Sequence, residues 1–358
     1  MAMNKRVILM TPSMCKGGAE TQLLKVALYL KSKQYDVMLI SLKPINEFEI
    51  DLEEQGLSVV FLKNWFGHAF SNCVTLYKTV KAFKPDVVLA FMFIAIIFAR
   101  LLKLRFHFKL ISTIRISVIN KKWYIPFKMT SGLDDMVVYN SNASKANFER
   151  WNLVRKEGIV INNAISIPVL NGMSPNVNYT QTFNWVCVGH FKYNKDYPTL
   201  FKAIALLKDK IFQVNIVGKL NNEVWPYKMI EDLGIQNHVN ILGFKQNTSD
   251  YITNAEAFIL SSYSEGMPNA VLEAMAHAKP IVVTAIDVNK ELVDAAHCGF
   301  LTEKENEKHL AGKMLEMMNM TATQRKVFGQ NGKTYIQSNF SDKSVMDSWM
   351  QLINQFAS

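Results

Sequence analysis

Short apolar runs rich in Val and Ile recur along this chain, separated by longer stretches in which apolar residues fall three or four positions apart. Most of the runs at 6–11, 37–42, 58–62, 87–91, 109–114, 136–140 and 159–162 are short, β-branched and apolar on both faces. Strands buried on both faces, as in parallel sheets, look like this. The intervening stretches 19–33 and 73–83 carry the helical period. Repeated strand–helix units predict a doubly wound α/β sheet. Segment 165–180, rich in Asn and Ser with Pro168, Gly172 and Pro175, reads as a linker. A second series follows at 185–188, 214–217, 239–242, 257–260, 281–284 and 300–301, and the tail from 305 is mostly helical. The pattern predicts two α/β domains, 1–170 and 171–340, and a final helical segment, 341–358.

Composition agrees. A chain of 358 residues with 49% apolar and 20% charged residues has the material for two globular cores. Cys15, Cys73, Cys187 and Cys298 are far apart without metal-ligand spacing, and read as reduced thiols in a cytoplasmic protein. The chain enters its first strand directly, so no signal peptide is expected. The most apolar run, 87–99, is too short to span a bilayer. The net charge of +10 lies wholly in residues 1–170. Between Asp86 and Asp134 there is no acid, but there are Arg100, Lys103, Arg105, Lys109, Arg115, Lys121, Lys122 and Lys128, interleaved with aromatics such as Trp123. Basic and aromatic residues together suit an anionic membrane surface. A merely solvated basic face is the alternative. No nucleic-acid module is recognisable, so nucleic acid is not an expected partner.

The densest chemistry lies in 261–284, SSYSEGMPNAVLEAMAHAKPIVVT. It reads as a strand end, a tight loop, a helix with Pro268 at its first position, and a new buried strand. Proline there loses no hydrogen bond. The amides of Asn269, Ala270 and Val271 would then face a ligand, and a helix N-terminus with its partial positive charge suits phosphate. Glu265 in the loop and Glu273 in the helix are carboxylates suited to sugar hydroxyls. Taken singly, each also reads as a turn residue or a solvated helix residue. Other turns follow predicted strands, where ligands sit in open α/β sheets. These are Gly17-Gly18, Gly189-His190 with Lys195, and Gly218-Lys219, and beside them stand the strand ends Leu242-Gly243-Phe244 and Ser112-Thr113-Ile114-Arg115.

The 261–284 string resembles the signature of the GT-B glycosyltransferases of family 4 (GT4), approximately S-x-x-E-G-x-P-x-x-x-x-E-A-M-A-x-G-x-P-V-V-x-T. Glu265, Gly266, Met267, Pro268 and Glu273 lie on its E-x7-E frame. Ala278 stands where the family has glycine, Ile281 replaces the first valine, and Ser262 adds a serine. Gly17-Gly18-Ala19-Glu20 resembles the family's G-G-x-E loop. Residues 188–195 resemble its V-G-R-x-x-x-x-K segment, with Lys195 on the lysine and His190 in place of the arginine. An ordinary histidine is mostly neutral at pH 7 and offers no bidentate fork. His190 therefore reads either as a donor contact or as a strand-end residue. Residues 111–115 look like an S-x-R variant of a first-domain strand end, with Arg115 binding an acceptor phosphate or the donor, or else an exposed cation.

The resemblance implies two Rossmann-like domains facing a central cleft, with the last helix crossing back to the first. It implies a retaining, metal-independent hexosyl- or N-acetylhexosaminyltransferase using a nucleotide-sugar, UDP-linked, with no cofactor. Glu265, Lys195 and His190 take the catalytic positions. Gly17, Gly18, Gly189, Gly243, Phe244, residues 265–270 and Glu273 take the donor-binding ones. Arg115, Lys121, Lys122 and Trp123 would bind the acceptor, a polyprenyl-diphosphate-linked saccharide in bacterial capsule, O-antigen or exopolysaccharide assembly. The protein would sit peripherally on the inner face of the cell membrane. Two rivals are a UDP-sugar 2-epimerase of the same fold and a non-catalytic membrane-associated partner of another transferase.

Overall fold

The computed structural model describes residues 5–48, 50–168, 182–220 and 222–356. The chain divides into two compact units, Met1–Ala164 with Lys343–Ser358 and Ile165–Asp342. In the first, β1 (Arg6–Thr11), β2 (Asp36–Ser41), β3 (Ser58–Phe61), β4 (Val87–Phe91), β5 (Lys109–Ile114), β6 (Met136–Tyr139) and β7 (Ile159–Val160) form a sheet. In the second, β8 (Phe183–Val188), β9 (Phe212–Val217), β10 (Val239–Gly243), β11 (Ala257–Leu260), β12 (Ile281–Thr284) and β13 (Gly299–Thr302) do the same. Among the described residues the orders are β3-β2-β1-β4-β5-β6-β7 and β10-β9-β8-β11-β12-β13. Every pairing is parallel.

Strand alternation builds the first core on both faces of its sheet. Val7, Leu9, Leu89 and Ile111 pack with Leu23, Val26 and Leu30 of the helix Gly18–Ser32. Their neighbours Ile8, Met10, Val88 and Leu110 point the other way, against Leu76, Ile96 and Ala99. The closing helix, Asp342–Phe356, adds Val345, Met346, Trp349, Leu352 and Ile353 to the first of these layers. Their spacing is one face of a helix.

The chain order reverses beside β1 in one sheet and beside β8 in the other. The candidate residues lie at the carboxyl ends of the strands around these points, where open α/β sheets bind ligands.

Several local expectations change. Ile165 already belongs to the second unit: its amide donates to Phe340 O at 2.7 Å and it bridges Ser341. Positions 169–180 of the expected linker, with Gly172 and Pro175, lie outside the described residues. The helix expected to include Pro268 runs Asn269–Ala276, with Pro268 as its N-cap. Ala278, where the signature has glycine, adopts φ +56°, a left-handed conformation that glycine takes more readily.

Candidate functional site

In the second unit, β8 and β9 end side by side. The Gly189 amide donates to Val217 O at 2.9 Å, and Gly218 donates to Gly243 O at 2.9 Å. A Cβ on Gly218 would come within 1.9 Å of Gly189 O, so only glycine lets these turns meet. Gly243, at φ +71°, turns the chain out of β10 toward Phe244. The Lys219 amide donates to His190 Nδ1 at 3.0 Å. A ring nitrogen that accepts is unprotonated, so a neutral His190 carries its proton on Nε2. The Lys219 ammonium lies 5.0 Å from the centre of the Phe244 ring, and the His190 and Phe244 rings are 6.3 Å apart. Three of the expected donor-side positions, Gly189, His190 and Phe244, thus meet around Lys219, which the motif reading had not assigned.

Lys195 and Glu265 form the central contact. Lys195 Nζ donates to Glu265 Oε1 at 2.7 Å, with side chains 16% and 13% exposed. The loop carrying Lys195 is tied to β11: Ser261 Oγ donates to Lys195 O at 3.0 Å and to Asp196 O at 2.9 Å. Asp196 caps the helix Tyr197–Ala205 by accepting from Thr199 N at 3.3 Å, which fixes where the loop ends. Tyr263 N donates to Asn194 O at 2.8 Å, and Asn194 Nδ2 to Ser264 O at 3.2 Å. The two loops are laced together along their length.

The helix after Pro268 is less open than expected. Val271 N donates to Pro268 O at 2.9 Å, so this amide of the predicted three is used within the turn. Glu273 sits in the second turn and accepts from Thr248 Oγ1 at 3.4 Å. One turn on, His277 Nδ1 lies 2.8 Å from Glu273 O, and its Nε2 lies 2.6 Å from Ser249 Oγ. A carbonyl can only accept, so Nδ1 carries the proton and Nε2 receives the serine hydroxyl. Burial pushes the His277 pKa down, favouring this neutral form. Thr248, Ser249 and His277 escaped the motif reading. The Glu273–His277 spacing of one helical turn was their sole trace.

In the first unit, Gly17 caps the helix Gly18–Ser32 in extended conformation, and Glu20 lies in its first turn. The basic segment separates into two sets. Arg100 is buried, donating through Nε and Nη2 to Asp134 Oδ1 and Oδ2 at 2.8 and 2.6 Å. Lys103 and Lys109 pair with Asp135. The acid-free stretch is thus partly neutralised by two aspartates just beyond it. Arg105, Lys121, Lys122 and Lys128 remain exposed, among exposed Leu104, Trp123, Ile125 and Met129. Arg115 is buried rather than an exposed cation. Three of the expected acceptor residues connect: Arg115 and Phe93 line one recess, Phe93 lies 5.0 Å from Trp123, and Lys122 Nζ sits 5.7 Å over Trp123.

Two family models match the chain: Glycosyltransferase Family 4 over residues 16–167 and Glycosyl transferases group 1 over residues 175–335. An uncharacterized glycosyltransferase of Methanocaldococcus jannaschii is 30% identical over 190 residues, 51% of each chain. A poly(ribitol-phosphate) alpha-N-acetylglucosaminyltransferase of Staphylococcus aureus is 24% identical over 152 residues, 42% of this chain and 31% of that protein. The chain spans about half, or less, of the length of these curated relatives. The crystal structure of Anabaena HepE in complex with UDP and glucose superposes with a TM-score of 0.84 at 18% identity, over 98% of this chain and 100% of that one. With one model on each half and the fold shared along its length, this chain belongs to the GT-B glycosyltransferases of family 4.

Proposed function

We propose that the protein transfers a sugar, with retention of configuration, from a UDP-linked donor held in the second unit to a lipid-linked saccharide acceptor carried on the first. The Lys195–Glu265 contact carries this reading. A lysine that already rests on a carboxylate can be handed to a donor diphosphate as the carboxylate turns to the sugar hydroxyls. The charge that builds on the departing diphosphate then meets a fixed cation and a helix N-terminus, so no metal is called for. His190 donates through Nε2, Phe244 offers an apolar wall to the base, and Glu273, steadied by Thr248, accepts from ribose hydroxyls.

The acceptor reading draws on the exposed basic and apolar residues of the first unit. Arg105, Lys121, Lys122 and Lys128 would each gain about 1 kcal/mol near an anionic membrane surface. Leu104, Ile125 and Met129 would enter the headgroup region. Among the described residues no helix is long and apolar enough to cross a membrane. A surface-polysaccharide role draws on the poly(ribitol-phosphate) transferase and on a UDP-Gal transferase of Escherichia coli named for its diphosphoundecaprenol acceptor.

A panel of nucleotide sugars, read by the rise in melting temperature, tests the donor without needing the acceptor. A UDP-sugar should raise Tm in the wild type and do so far less in Lys195→Met. A panel in which no nucleotide sugar stabilises the protein overturns the reading.

A further inference from the structure

Arg115 is the first residue past β5, and only 6% of it is exposed. Its Nη1 donates to Ile161 O at 3.2 Å and to Asn163 Oδ1 at 3.0 Å, both neutral acceptors. Its guanidinium lies 5.4 Å from the ring centres of Phe91 and of Trp349. Nε and Nη2 are buried and have no hydrogen-bond partner among the described residues. These two atoms form the side-on edge of a guanidinium, which takes both oxygens of a carboxylate or two of a phosphate. Arg100 shows that edge filled within the same unit, by the two oxygens of Asp134.

A buried cation with an unfilled edge is costly to hold, and chains seldom keep one without use. Two further features meet there. Arg115 lines an apolar recess with Met92, Phe93, Ile96, Phe127 and Phe148. Met92 adopts φ +69°, ψ 156°, a conformation that is strained for any residue but glycine. The recess has room for about one water, so the unbranched Met92 side chain would have to swing aside to admit a larger ligand. Phe93, part of the recess lining, lies 5.0 Å from the ring of Trp123, over which the exposed Lys122 sits.

We propose that Arg115 is a buried oxyanion receptor. Its Nε–Nη2 edge takes a phosphate or carboxylate of the acceptor, while the adjoining carbon portion lies against the recess and Trp123. This rests on the reading above that the first unit carries the acceptor.

The test is thermal unfolding of the full chain with inorganic phosphate, phenyl phosphate and benzoate, and with benzyl alcohol as the uncharged control. Each is run at saturating UDP, which occupies anion sites in the second unit. Phenyl phosphate or benzoate should raise Tm in the wild type, and benzyl alcohol should not. The rise should vanish in Arg115→Met and largely vanish in Arg115→Lys, because an ammonium cannot fork. Which of the two anions works identifies phosphate or carboxylate as the group. Three outcomes overturn the proposal: no anion-specific rise in the wild type, a rise that survives in Arg115→Met, or an unliganded Arg115→Met that loses as much Tm as Arg100→Met or fails to fold. The last is how a purely structural arginine behaves. UDP alone failing to stabilise the wild type would count against the donor reading and leave this result standing, since the anion response is judged against Arg115→Met.

Discussion

Arg100 and Arg115 are both buried in the first unit, and both stack on phenylalanine, at 4.2 Å from Phe127 and 5.4 Å from Phe91. They differ in what neutralises them. Arg100 meets a carboxylate with both prongs, a third donor reaches Phe127 O and Thr130 Oγ1, and Ser112 Oγ also donates to Asp134 at 2.7 Å. Arg115 meets a carbonyl and an amide oxygen. A buried charge whose counter-ion is supplied by the chain serves the fold. One whose counter-ion is withheld suits something that arrives from outside.

The contrast can be broken most forcefully at Arg100. Arg100→Met leaves the Asp134 carboxylate buried and unpaired and should cost about 3–5 kcal/mol of unfolding free energy, read by urea denaturation. Arg100→Met combined with Asp134→Leu should recover most of that loss. If the single substitution costs no more than Arg115→Met, the two arginines are not different in kind. Lys195–Glu265 sharpens the contrast from the other side, as a pair proposed to be exchanged during turnover. Lys195→Met should lower kcat about 10²–10³-fold, with a smaller stability loss than Arg100→Met. Next comes Arg115→Met itself, which takes the donor away from Ile161 O and Asn163 Oδ1 and should cost about 1–3 kcal/mol of unfolding free energy, less than Arg100→Met. Its KM for a charged acceptor should rise, and its response to UDP should stay the same.

A further effect concerns pH. Burial lowers the Arg115 pKa to about 9, and that of Lys279, whose ammonium donates to Thr253 O and Ala255 O, to about 8. The unfolded lysine holds its proton to its ordinary value of 10.5. Between these values the unfolded chain binds more protons, so the Lys279 contribution to stability rises with pH above about 8 and is flat below it. Lys279→Met should remove that rise, measured as the difference between the two proteins in unfolding free energy from pH 7 to 10. No difference would mean that the ammonium is adequately solvated by its two carbonyls.

Most strands were legible because buried parallel strands are short and largely apolar on both faces, and β4, Val-Val-Leu-Ala-Phe, could hardly be anything else. Lys195 and Glu265 were singled out by the motifs they resemble, and the fold brings their side chains within 2.7 Å. The partition of the basic segment was not legible. Arg100 and Arg115 look alike in a list of charges, and what separates them is Asp134, brought beside Arg100 by the packing of β5 against β6. Thr248 and Ser249 were hidden for the same reason: they lie on a different element from Glu273 and His277, which they contact. Pro268 misled by one position, since proline suits the cap as well as the first turn.

The helix Asp342–Phe356 seats Trp349 and its neighbours in a core whose other members come from the first half of the chain. During synthesis that half therefore waits with an open hydrophobic seam while everything from Ile165 onward is still being made. At ribosomal speeds the delay is on the order of ten to forty seconds. A premature stop codon anywhere in the second half would thus harm the first half as well, and Arg115 would lack one of its two aromatic walls until translation ended.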